Sequence, residues 1–206
     1  MFSDPEKVIS EMFVAEGMTV ADFGSGAGFY TLALAKKVGP YGRVFAIDSH
    51  PDFLRRIKNE AVRSGLQNVE VVQGELESKK GSGLVSASVD RIVIANTLFS
   101  MENVDEIVLE AKRVLKHDGK VAVIDWNESY GQIGPHTDHI VTKDEAREMF
   151  EKEGFHLESF VDAGSHHYGM LYVLTHTPTP GELANVGYNI EEEQTRHTKS
   201  HPDRLE

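Results

Sequence analysis

Apolar residues follow two rhythms along this chain. Short continuous runs, Met18–Phe23, Arg43–Ile47, Val69–Val72, Asp90–Ala95 and Lys120–Trp126, are rich in Val and Ile and end near Gly, Asp or Asn, which predicts buried strands. Between them apolar positions recur every three or four residues. Phe29–Val38, the stretch opened by Pro51 with Leu54, Ile57 and Ala61, and the stretch with Ile107, Val108, Ala111, Val114 and Leu115 therefore predict helices. Gly39-Pro40, Gly65 and Gly119 stop them. Ser3 or Asp4 before Pro5-Glu6 is a helix start, so a short helix is expected over 4–15. Thr142-Lys143-Asp144-Glu145 has the form of a capping box and starts another. Residues 77–89, rich in Ser, Gly and Lys, read as a loose connection, and 127–141 as a polar loop. Phe155–Asp162 and Tyr168–His176 are strands joined by so few residues that they form an antiparallel hairpin. Five strands alternating with helices and closed by a hairpin predict an α/β chain on a mostly parallel sheet.

Length and charge narrow the class. The 206 residues suit one domain with a short extension. The expected domain covers 1–177. Residues 178–206, with few apolar positions and the run Glu191-Glu192-Glu193, read as a polar, flexible C-terminal extension. With 21 basic against 33 acidic residues the net charge is −12, and no basic stripe occurs, so nucleic acid is not an expected partner. There is no cysteine, hence no thiolate nucleophile and no Cys-built zinc site. No apolar run of membrane-spanning length and no signal-peptide pattern is present, so the expectation is a soluble cytoplasmic protein without membrane insertion. The sequence leaves the oligomeric state open.

The first strand runs into Asp22-Phe23-Gly24-Ser25-Gly26-Ala27-Gly28 and directly into a helix. Glycines at alternate positions let a ligand approach the main chain, and the helix start offers free N–H groups and a positive dipole end, a site for a nucleotide-like ligand. The spacing is G-x-G-x-G, with Phe29 where a dinucleotide fingerprint needs a small residue, and no Gly-Lys-Ser/Thr follows for a P-loop. This loop, with Asp22 ahead of it and Asp48 ending the second strand, resembles the class I S-adenosylmethionine-dependent methyltransferases. The resemblance covers about residues 1–176 and implies a Rossmann-like, doubly wound, seven-stranded sheet with an antiparallel last strand. It implies S-adenosylmethionine as cofactor, with Asp48 at the ribose hydroxyls, Glu75 and Leu76 at the adenine, and Gly24, Ser25, Gly26, Gly28 and Ser49 among the cofactor-binding residues. Asp22 then orders the loop and faces the amino group, and Asn96 lies near the transferred methyl. From the residues alone, Asp48 and Asn96 also read as helix caps, and Glu75 as a solvated loop residue.

Within the family, Gly134-Pro135 matches a loop of the group methylating quinone precursors and similar small molecules. That loop then forms a lid, and His136 and His139 are candidate catalytic residues facing the acceptor, since a neutral imidazole can take a proton near pH 7. His136-Thr137-Asp138-His139 and His166-His167 match no metal-ligand spacing, so no metal is expected. The family's amino-methylating enzymes carry Asn-Pro-Pro-Tyr where this chain has Asn96-Thr97-Leu98-Phe99, and its cytosine C5 and arsenite enzymes use cysteines. The remaining expectation is methyl transfer to a small organic acceptor. A protein methyltransferase and a non-catalytic binding module are the alternatives.

Overall fold

The structure, a computed structural model, describes residues 4–129 and 134–175. Seven strands form a single sheet in the order β3-β2-β1-β4-β5-β7-β6. These are β1 (Thr19–Phe23), β2 (Arg43–Asp48), β3 (Val69–Gln73), β4 (Val89–Ala95), β5 (Leu115–Trp126), β6 (Phe155–Phe160) and β7 (His167–Leu174). Strands β1 to β5 pair in parallel, while β7 runs antiparallel between β5 and β6. The α/β, doubly wound sheet with an antiparallel last strand is therefore present. Strand order reverses between β1 and β4, and ligands of open α/β sheets bind beyond the carboxyl ends of the strands at such a point.

The helices α1 (Pro5–Glu11), α2 (Phe29–Val38), α3 (Pro51–Arg63), α4 (Val104–Val114) and α5 (Lys143–Lys152) cover the two faces. On one face Val8 of α1, Met12 just beyond it and Leu34 of α2 pack with Val20, Val93 and Ile124 of the sheet. On the other Ile107 of α4 and Phe150 of α5 pack with Phe23, Ile94 and Tyr172. This two-sided burial explains why β4 and β5 read as continuous apolar runs rather than alternating ones. Thr142 and Glu145 make the capping box reciprocally, and Asp4 caps α1 by accepting from the Glu6 N–H.

Beyond shifts of one or two residues at strand ends, the structure differs from the sequence reading in three places. Helix α1 ends at Glu11, short of residue 15, because Phe13 takes φ 55°, outside the helical region. Strand β5 begins at Leu115, which pairs with Val89; Lys120 then pairs with Arg91, so 116–119 bulge from the ladder. Residues 77–88 are not loose. Glu77 accepts from the Glu102 and Asn103 N–H groups, and buried Glu110 accepts from the Ser82 N–H and hydroxyl and from Arg113. The expected extension 178–206 lies outside the described residues, as do Tyr130 to Ile133 of the expected lid.

Candidate active site

The glycine loop is built between strand ends. Gly24 and Ser25 both donate their N–H to the Ile47 carbonyl, 2.9 Å each, which ties the loop to β2. A Cβ on Gly24 would stand 2.4 Å from Thr97 Oγ1, and one on Gly28 2.6 Å from Ile57 Cγ1, so both are closed to side chains by packing. Gly28, at φ 83°, is also the N-cap of α2. Gly26 is different. A Cβ there meets nothing nearer than 3.9 Å, so its main chain faces open space at φ 47°.

That space is a cleft of about 440 Å³ at the carboxyl ends of β1 to β4. Gly24 and Gly26 form one wall, Asp48, Ser49 and His50 the end of β2, Gly74 to Glu77 the end of β3, and Asn96, Thr97, Ser100 and Met101 the segment after β4. Asp48 Oδ2 accepts from the Gly26 N–H at 2.8 Å and Oδ1 from the His50 N–H at 2.9 Å. The N-cap of α3 is His50, so Asp48 is not that cap but a buried bridge between loop and helix start. Oδ2 keeps a second lone pair for a ligand hydroxyl, while Oδ1 also lies 3.3 Å from His50 Nδ1.

A second cavity of about 480 Å³ opens on the other side of the loop, walled by Pro5, Ala27, Phe29 and Tyr30, with Asp22 and Ser25 among its lining. Gly24, Gly26 and Asn96 line both spaces, so the two adjoin. Phe29 is 75% exposed, an aromatic ring left at this mouth. Ser25 Oγ is buried and has no hydrogen-bond partner. Asn96, at the shared edge, takes φ 53°, a left-handed conformation that Asn tolerates better than most residues.

Two buried carboxylates support these walls. Asp22 accepts from the Thr31 hydroxyl at 2.6 Å and from the Thr31 N–H, which holds the first turn of α2 to β1; burial pushes its pKa up to about 6. Asp125 Oδ2 accepts from the Thr97 and Leu98 N–H groups at 3.1 and 2.9 Å, and Oδ1 from the Trp126 N–H at 2.8 Å; burial raises it to about 6 as well.

The cofactor candidates Asp22, Gly24, Ser25, Gly26, Asp48, Ser49, Glu75, Leu76 and Asn96 thus all line one or other of two adjoining spaces, while Gly28 stands behind them against α3. His136 and His139 are not brought there. His136 caps and His139 ends the 3-10 turn Thr137–His139, both exposed, with His136 Nδ1 facing the Asp138 N–H and carboxylate, and neither lines either cavity. Sequence reasoning missed His50, Phe53, Glu77 and Met101 as lining and Thr97 as a support; Asp125 it places among the polar residues at strand carboxyl ends, without the contacts it makes. Only Asp125, a carboxylate ending an otherwise apolar strand, gave a sequence signal. Among the described residues no group of three or more His, Cys, Asp or Glu side chains is placed to hold a metal.

The family described as a methyltransferase domain matches residues 15–164. An S-adenosylmethionine-dependent methyltransferase from Aquifex aeolicus has the same fold with a TM-score of 0.77, at 33% identity over 84% of this chain and 91% of that one. The chain belongs to the class I S-adenosylmethionine-dependent methyltransferases. This methyltransferase domain is also 33% identical over 113 residues to the arsenite methyltransferase of Halobacterium salinarum, covering 54% of this chain and 28% of that protein. It is 30% identical over 132 residues to the demethylmenaquinone methyltransferase of Lactobacillus johnsonii, covering 62% of this chain and 52% of that protein. The domain thus spans about half or less of the length of these two curated relatives. The family's cofactor is S-adenosylmethionine, and the residues present fit it: an open glycine main chain and a carboxylate line the cleft, and a buried unpartnered hydroxyl lines the adjoining cavity.

Proposed function

We propose that this chain methylates a small organic acceptor, with the cofactor in the cleft at the ends of β1 to β3 and the acceptor entering through the adjoining cavity. S-adenosylmethionine, when bound, supplies a sulfonium-activated methyl group. Asp48, with Ser49, would hold the ribose hydroxyls, Glu75 and Leu76 the adenine, and Gly24, Ser25 and Gly26 the methionine end, with Asp22 ordering that loop and Asn96 at the edge nearest the acceptor. The observation that carries the reading is Asp48, buried between the Gly26 and His50 N–H groups and lining the cleft beside the one glycine of the loop whose main chain is open. The protein's contribution is then mainly to place acceptor and methyl in line and exclude water.

Phe29, Tyr30 and Pro5 give the second cavity an apolar wall, and no Lys or Arg lines either space among the described residues. That lining suits an uncharged organic acceptor. The chain's lack of cysteine separates it from thiolate-dependent chemistry, its similarity to an arsenite methyltransferase notwithstanding. His136 and His139 stay in the proposal as candidates to take up the acceptor's proton, although they stand on an exposed turn that lines neither cavity, and their double substitution tests them. The domain is read as 1–177, and the cytoplasm as its compartment; no helix among the described residues is long and apolar enough to cross a membrane.

Incubation with methyl-labelled S-adenosylmethionine, a metabolite extract and a protein panel tests the reading. Label is expected in a small molecule. Label only in protein would move the assignment to a protein methyltransferase, and no transfer at all to a binding module. His136→Ala with His139→Ala is expected to lower turnover on the labelled acceptor and leave cofactor affinity within about twofold.

A further inference from the structure

We propose that Asp125 is a positioning residue for the cofactor cleft, acting on the glycine loop through Thr97. Its carboxylate lies at the carboxyl end of β5 and is 1% exposed. One oxygen receives the Thr97 and Leu98 N–H groups at 3.1 and 2.9 Å, which pins the 3-10 turn Leu98–Ser100; the other receives its own neighbour's N–H, that of Trp126. Thr97 is thereby held with its side chain against the main chain of Gly24, where a Cβ would stand 2.4 Å from Oγ1 and 2.6 Å from Cγ2. Its hydroxyl reaches back to the Phe23 and Ala95 carbonyls at 3.3 and 3.1 Å. Gly24 in turn hangs from the Ile47 carbonyl of β2. A continuous packed route therefore runs from β5 across β4 and β1 to the loop beside Asp48. The same turn carries Ser100 and leads to Met101, which line the cleft opposite. Asp125 itself lines neither cavity, so it acts through these groups.

Alternative roles are weaker. As a plain core residue a carboxylate is a poor choice, because burial disfavours its charged form and the usual answer is an apolar side chain. As a helix cap it serves a single 3-10 turn of three residues. What makes the carboxylate useful is that two strand ends and a turn need one acceptor with two oxygens, which no apolar residue supplies.

The inference rests on the methyltransferase reading for its consequence but not for its test. Amide hydrogen exchange is measured on the full chain, wild type and Asp125→Asn, with Glu110→Gln as the control. Glu110 is the comparable buried carboxylate, and it holds Ser82 and Arg113, which line neither cavity and do not touch the glycine loop. In Asp125→Asn an amide –NH2 must face one set of the N–H donors. The Gly24 and Ser25 amides are then expected to exchange at least tenfold faster, together with Thr97 and Leu98, and S-adenosylhomocysteine to bind at least tenfold more weakly by calorimetry. Glu110→Gln should leave both readouts within twofold. Thr97→Ser, which removes the methyl backing Gly24 and keeps the hydroxyl, should show the same acceleration at Gly24. Unchanged Gly24 and Ser25 exchange in Asp125→Asn would overturn the proposal, as would equal acceleration in Glu110→Gln. If wild type fails to bind S-adenosylhomocysteine, the cofactor reading falls while the exchange comparison still decides the positioning role.

Discussion

At the residue scale the glycine loop shows why one motif carries three constraints. Gly24 is fixed by Thr97, Gly28 by Ile57, and only Gly26 has room above it. Alanine at position 26 meets no neighbour and bears only the left-handed backbone cost of about 1–2 kcal/mol. Gly26→Ala is therefore expected to remain folded in a denaturant titration yet to lose cofactor affinity, because its methyl enters the cleft. Gly28→Ala should lose more stability, since the same backbone cost is joined by a clash with Ile57. Equal stability losses would contradict this division. Asp22 offers a second test. Its folded pKa, about 6, exceeds the ordinary value of 3.8 through burial. The folded chain then holds a proton that the unfolded chain releases, so this group's contribution is fully present below about pH 4 and is lost as pH rises through about 6. Asp22→Asn should accordingly stabilise the fold at pH 8, by on the order of 1–3 kcal/mol, and change it little at pH 4. Thermal melts at both values check it; a loss of equal size at both would show that the Thr31 contacts outweigh the buried charge.

Elements were legible where their signals are local. Pro51 at the first turn of α3, the Thr142–Glu145 capping box and the apolar run of β4 each carry their instruction within a few residues. The segment 77–88 was not legible, because it is held by partners far along the chain. Glu110, three per cent exposed, satisfies Ser82 from 28 residues away, and Glu77 reaches the start of α4. Small polar residues look the same in a free loop and in one pinned by a buried carboxylate. Glu110→Ala would leave the buried Ser82 groups unpaired and Arg113 without its main partner. A cost of roughly 3–5 kcal/mol, the scale for breaking a buried pair, is expected in a denaturant titration. A cost below about 1 kcal/mol would mean that water replaces these contacts. The early start of β5 escaped for a related reason: Leu115 continues the helical rhythm of α4, and only its pairing with Val89 makes it strand.

For the whole molecule, alternation of apolar runs and helical stretches was enough to predict a parallel sheet closed by a hairpin, and the reversal of strand order between β1 and β4 then fixes where a ligand sits. Asp48 could be placed at the site because the second strand ends on it. The supporting roles of Thr97 and Asp125 could not be read, since their contacts cross from β5 to β1 and form only when the sheet is assembled. The histidines 136 and 139 attracted notice for their chemistry, yet the fold leaves both on an exposed turn outside the two cavities. The central claim is that the cleft beside Asp48 takes S-adenosylmethionine. Isothermal calorimetry of the full chain with S-adenosylhomocysteine, S-adenosylmethionine and NAD tests it most directly. Binding of the first two, no binding of NAD, and at least tenfold weaker binding by Asp48→Ala are expected, the loss of a charge-assisted contact being about 1.5–3 kcal/mol. Equal affinity of wild type and Asp48→Ala, or saturable binding of NAD in their place, would contradict the account.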